Sequence, residues 1–245
     1  MKHFKPALLT LALTAALAGC QHQAANQAST GVQADTSGQI IKSPADQRDY
    51  RYLTLDNGLK VLMISDPKAD KSAAAMDVSV GAYHAPKDRA GLLHFLEHML
   101  FLGTEKYPDA GEYNEFLKKN GGSSNAYTST EDTNYFFDVS NQVFDQALDR
   151  FAQFFIAPTM DPEFVEREKN AVDSEYSLKL KQDNRRTREA GRQAVNPDHP
   201  YSMFSVGNLD TLADRPDDKV YDDLMAVYRR HYSANRMALV VLSNQ

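Results

Sequence analysis

Two strand-like apolar runs, residues 50–55 and 59–64, flank Asp56-Asn57-Gly58. Asn-Gly supplies the positive φ angles of a tight hairpin, so the domain is expected to open on a β-hairpin. Small and β-branched residues over 73–83 predict a third strand. Residues 90–102, bounded by Gly91 and Gly103, are apolar nearly all round and predict a buried helix. A second short helix over 110–119 stops at Asn120-Gly121-Gly122. Residues 124–130 and 134–139 read as an antiparallel pair, the second alternating through Tyr135, Phe137 and Val139. Phe144, Leu148, Phe151 and Phe155 recur at helical spacing over 143–155, a stripe that fits core packing rather than a ligand pocket. After Pro158 and Pro162 a long charged helix is expected to about residue 195, with Asp161 as its cap. Helices over 208–213 and 217–231 and a strand over 237–242 complete the pattern. The elements describe one α/β domain of the α+β kind over 48–245, with a largely antiparallel mixed sheet covered by helices and no internal repeat.

The buried helix carries unusual chemistry. His94 and His98 lie about 40° apart around a helix and one turn apart along it, so both reach one cation. Glu97 projects about 60° to the other side of His94, placed to take a proton from an activated water. The order His94-Phe95-Leu96-Glu97-His98 inverts the commoner H-E-x-x-H and matches the H-x-x-E-H inverzincin pattern. The bland alternative makes both histidines packing residues, but buried histidines and a buried glutamate without partners are costly, and a shared metal removes that cost. His84 and His199 are expected to be structural or solvated, and His231 to sit at a helix end where a cation suits the dipole.

Composition narrows the function without choosing it. The 245 residues carry a net charge of −6 and 42% hydrophobic residues, an ordinary globular balance with no Lys/Arg stripe, so no nucleic-acid partner is expected. Gly-rich phosphate loops and a G-x-S-x-G serine are absent. Lys2 and Lys5 precede an apolar stretch, 7–18, with the length of a secretory signal rather than of a membrane span. It ends in Leu17-Ala18-Gly19-Cys20, which resembles a bacterial lipobox; Cys20, the only cysteine, would be lipidated after removal of residues 1–19. Gln21 after it fits the enterobacterial pattern for the outer membrane. Residues 20–47 then form a disordered tether, and the protein is expected on the periplasmic side of a bacterial envelope.

Three segments identify a family: Tyr83-His84 through Glu105, Gly121-Gly122-Ser123-Ser124-Asn125-Ala126-Tyr127-Thr128, and Ala171-Val172-Asp173-Ser174-Glu175-Tyr176. They resemble the N-terminal domain of the pitrilysin/insulin-degrading-enzyme family of zinc peptidases, a LuxS/mitochondrial-processing-peptidase-like domain type. The resemblance implies one zinc ion per chain, held by His94, His98 and Glu175, with Glu97 as general base in peptide hydrolysis. It gives Glu168 a supporting role outside the ligand set, since Glu168 lies about 10 Å along the helix from Glu175 and one ion cannot bind both. It also implies that the strand through Asn125 and Ala126 receives an extended peptide or small-protein substrate. Related enzymes have four such domains in two halves, so C-terminal domains are expected to be missing from this chain. A non-catalytic peptide-binding or assembly subunit is the alternative.

Overall fold

The computed structural model describes residues 40–245 and the backbone of the two-residue strand Val32–Gln33. Cys20 and residues 1–19 lie outside the described residues, as does most of the expected tether. Seven strands form one mixed sheet: β1 (Val32–Gln33), β2 (Asp49–Leu55), β3 (Lys60–Ser65), β4 (Lys71–Val78), β5 (Ser123–Thr128), β6 (Thr133–Ser140) and β7 (Met237–Ser243), in the order β1-β2-β3-β7-β4-β6-β5. Only β3 and β7 run parallel; every other pair is antiparallel, as expected. The expected β2–β3 hairpin forms, but only Gly58, at φ 87°, takes a positive angle; Asn57 does not, and its side chain accepts from the Leu59 amide. β7 sits centrally between β3 and β4, with Leu239 and Val241 buried and Val240 exposed on the other face.

Alternate residues of the sheet, Val61, Met63, Met76, Val78, Tyr135, Phe137, Leu239 and Val241, are buried. They join the helices in one core: α1 (Leu92–Met99), α2 (Glu112–Lys119), α3 (Phe144–Ile156), α4 (Val165–Lys179), α5 (Asp183–Gln193) and α6 (Val220–His231). Phe144, Phe151 and Phe155 pack in that core, as their spacing predicts. Three elements differ from expectation. The third strand ends at Val78 because the chain must pass the 129–132 loop at Gly81, where a Cβ would stand 2.6 Å from the amide nitrogens of Glu131 and Asp132. The expected long helix breaks between Lys179 and Asp183, where Gln182 is extended and Asn184 turns its side chain onto the Arg185 amide. Residues 208–213 form a hydrogen-bonded turn rather than a helix. Among the described residues no helix is long and apolar enough to cross a membrane.

Candidate metal centre

The placement of α1 starts from its apolar side. Leu92, Phe95, Leu96 and Met99 are fully buried, which fixes the helix against the sheet and turns His94 and His98 toward α4. Gly91, at φ 88°, opens the helix against Gly207, also at φ 88°. A Cβ on Gly91 would stand 2.2 Å from the Gly207 Cα, so only glycine permits this approach. The close contact brings the Val206 carbonyl to 2.7 Å from His94 Nδ1. A carbonyl only accepts, so Nδ1 carries the proton and Nε2 presents a lone pair.

His98 is oriented in the same sense, its Nδ1 lying 3.3 Å from Glu168 Oε2. Both Nε2 atoms then face one carboxylate: His94 Nε2 is 3.8 Å from Glu175 Oε2, and His98 Nε2 is 3.7 Å from Glu175 Oε1. Among the described residues one group of three has ligand atoms close enough to hold a metal ion, and it is His94, His98 and Glu175, with those atoms all within 4.8 Å. Ligands about 2.0–2.2 Å from a tetrahedral zinc stand roughly 3.4 Å apart, so the two His–Glu175 distances need a few tenths of an ångström and the set as a whole draws in from within 4.8 Å. Two neutral imidazoles and a carboxylate, each imidazole tied at Nδ1 to an outer acceptor, suit zinc and leave a position open.

Glu97 stands beside this group, 7% exposed, with Thr128 Oγ1 donating to its Oε2 at 2.6 Å. Burial pushes its carboxyl up, with the Thr128 hydrogen bond and the His98 charge pulling the other way. His94 is held below the usual imidazole range by burial and by its neighbour His98. Burial lowers His98 too, but the Glu168 hydrogen bond and the charges of Glu175 and Glu97 outweigh it and raise the net value. Glu175 is pushed up by burial and more strongly down by Lys179, which donates to its Oε2 at 2.9 Å, and by the two histidines. Glu168 also accepts from Arg167 Nε at 2.9 Å.

The geometry thus gathers the two helices of the expected site. The model of the family described as Insulinase (Peptidase family M16) matches residues 60–198. The chain belongs to this family. Insulinase-family peptidases are zinc-dependent, and the donor set assembled here suits that metal. Over 210 residues the chain is 50% identical to the insulin-degrading enzyme of Mus musculus, a match covering 84% of this chain and 21% of that enzyme. It is 46% identical over 209 residues to the A-factor-processing enzyme of Saccharomyces cerevisiae, covering 84% and 20%. The crystal structure of pitrilysin aligns with a TM-score of 0.85 at 41% identity, over 89% of this chain and 23% of that one. A protease from Helicobacter pylori shares the fold, with a TM-score of 0.69 at 24% identity over 80% and 46%. The chain spans about a fifth of the length of the curated relatives it matches.

Asn125 and Ala126 lie on β5, which ends the sheet; among the described residues no strand pairs with its outer edge. The Ala126 amide donates to the Asn125 side chain instead, at 2.9 Å. Two contributors escaped the sequence. Thr128 was legible in principle, because two-residue alternation puts it on the same face as Ser124 and Ala126. The Val206 carbonyl had no signal beyond the neighbouring Gly207. His84 packs edge-on against His231, with ring centroids 5.3 Å apart, and neither joins the metal group.

Proposed function

We propose that this chain is the zinc-binding domain of a metalloendopeptidase that hydrolyses peptides or small proteins, with one zinc per chain held by His94, His98 and Glu175. The reading is carried by one observation: both imidazoles have Nδ1 occupied by an outer acceptor and Nε2 directed at the same carboxylate. When bound, zinc supplies Lewis acidity, lowering the pKa of a water and polarising a peptide carbonyl. The chain's own residues do the rest. Glu97, with Oε2 engaged by Thr128, uses Oε1 to take the proton of the attacking water and returns it to the leaving amine. Its raised carboxyl makes it a better base than an exposed glutamate. Glu168 holds the His98 ring in orientation. The open edge of β5 takes an extended peptide as a further strand, with Asn125 and Ala126 in contact, and main-chain hydrogen bonds make that binding tolerant of sequence.

The test is Glu97→Gln, assayed for zinc content and for cleavage of a quenched fluorescent peptide. Zinc stays bound and hydrolysis falls by about 10²–10⁴-fold; undiminished hydrolysis removes Glu97 from the chemistry. In the relatives four fifths of the length lies outside the match, and further domains that help position substrate are part of the proposal. So is lipid anchoring at Cys20 on the periplasmic side of the outer membrane, which rests on Leu17-Ala18-Gly19-Cys20 behind the apolar 7–18 stretch. Cys20→Ser is expected to release the protein from the membrane fraction.

A further inference from the structure

Beside the metal group lies a second feature that hydrolysis does not use. The break between α4 and α5 turns α5 back against the 204–208 segment and leaves a cavity of about 550 Å³. Its wall carries Lys179, Arg185, Arg186, Arg188 and Arg192 against one acid, Glu189, in a chain whose net charge is −6. Two of its residues adjoin the metal group directly: Lys179 donates to Glu175, and Val206 accepts from His94.

Arg192 shows that the cavity is built rather than incidental. Its side chain is only 9% exposed, Nη2 donates to Ser205 Oγ at 2.7 Å, Nη1 reaches Glu189 at 3.5 Å, and the buried Nε has no hydrogen-bond partner among the described residues. The unmatched Nε is closed off from the cavity, so it is the guanidinium's placement, held by Ser205 and Glu189, that Arg192 contributes to the wall. The Arg185 and Arg188 side chains have no partner there either, and Arg186 has only the exposed Asp183 at 3.4 Å. Tyr176 and Phe204, edge to face at 5.2 Å, supply an apolar part of the lining.

We propose that this cavity is a subsite for an acidic side chain of the bound peptide, glutamate above all, set next to the bond being cleaved; the proposal rests on the peptidase reading above. The arginines bind the carboxylate by charge-assisted hydrogen bonds, the exposed Arg185 and Arg188 foremost, while the rings pack on the aliphatic stem. The cavity's size suits a side chain with its neighbouring backbone, since it far exceeds the space a single inorganic anion fills.

The experiment measures binding, so it does not depend on turnover. Labelled peptides in which one Glu is moved along the sequence, each with a Gln counterpart, are titrated by fluorescence anisotropy onto the zinc-loaded full chain carrying Glu97→Gln. At one position Glu should bind roughly tenfold more tightly than Gln. The exposed pair Arg185→Gln/Arg188→Gln should bring that ratio near one, while Arg229→Gln/Arg230→Gln on α6 leaves it unchanged. Equal binding of Glu and Gln at every position overturns the proposal, as does a preference that survives loss of the two arginines. Inorganic phosphate that binds in an arginine-dependent way while the peptides show no preference assigns the cavity to a free anion and also overturns it. Hydrolysis undiminished by Glu97→Gln, with an intact preference, faults the peptidase reading and leaves the subsite standing.

Discussion

Helix α1 buries six of its eight residues, whereas α4 buries three of fifteen, and the candidate metal ligands are divided between them. The imidazoles of α1 are 16% and 17% exposed, Glu175 39%. One half of the site is therefore positioned by the core, and the other by one core anchor, Val172 packed under Gly207, with surface contacts around it: a lysine beside the carboxylate and Asp173 accepting from the Leu209 amide at 3.1 Å. The contrast is that the histidine pair is set by the packing of α1, while Glu175 stands on a more exposed helix with a lysine on its carboxylate.

The largest effect that sharpens this contrast is on stability. Phe95→Ala should cost about 3–5 kcal/mol by urea unfolding, because it leaves a cavity under α1. Leu178→Ala on α4, 79% exposed in the parent, should stay within about 0.5 kcal/mol. Similar losses for the two would erase the distinction. Next comes Glu168→Ala, which frees the His98 ring and should weaken zinc about 10–100-fold in a competition titration, with the fold unchanged by circular dichroism. An unaltered affinity would leave Glu168 as a partner of Arg167 alone.

A smaller effect concerns the segment after α1, where Lys106 and Tyr107 both donate to Asp149 on α3. Burial pushes the Asp149 carboxyl up, but those two hydrogen bonds outweigh it and hold it below 3.8. A lowered carboxyl stabilises the fold above its unfolded value and loses that contribution as pH falls through the folded one. Asp149→Asn should therefore cost on the order of 1 kcal/mol at neutral pH and nothing once the carboxyl is protonated. Its stability curve should run flatter than the parent's below about pH 4, as read by thermal melts across pH. The smallest expected change is Lys179→Met. Removing a half-exposed partner of Glu175 should raise zinc affinity by less than tenfold.

The same contrast explains what was legible in the sequence. The β2–β3 hairpin, the buried α1 and the His94, Glu97 and His98 set declare themselves because core periodicity and a fixed five-residue spacing leave few alternatives. On α4, Glu166, Glu168, Asp173 and Glu175 crowd one charged run, and spacing cannot say which carboxylate turns toward α1; family resemblance chose Glu175. The break after Lys179 was hidden for a related reason. A polar stretch has no apolar stripe to interrupt, so Asp183-Asn184 reads as helix interior when it starts a new helix. The Val206 carbonyl is a backbone group with no residue type of its own, and it is revealed only once Gly91 meets Gly207.

The central claim, one ion held between a core-fixed helix and a surface-held one, is tested most directly by a crystal structure of the zinc-loaded chain using the anomalous signal of zinc. A single zinc is expected within about 2.0–2.2 Å of His94 Nε2, His98 Nε2 and a Glu175 carboxylate oxygen, with α1 in place and the Glu175 side chain drawn away from Lys179. Zinc bound elsewhere, or held by the histidines with Glu175 still paired to Lys179, would contradict it.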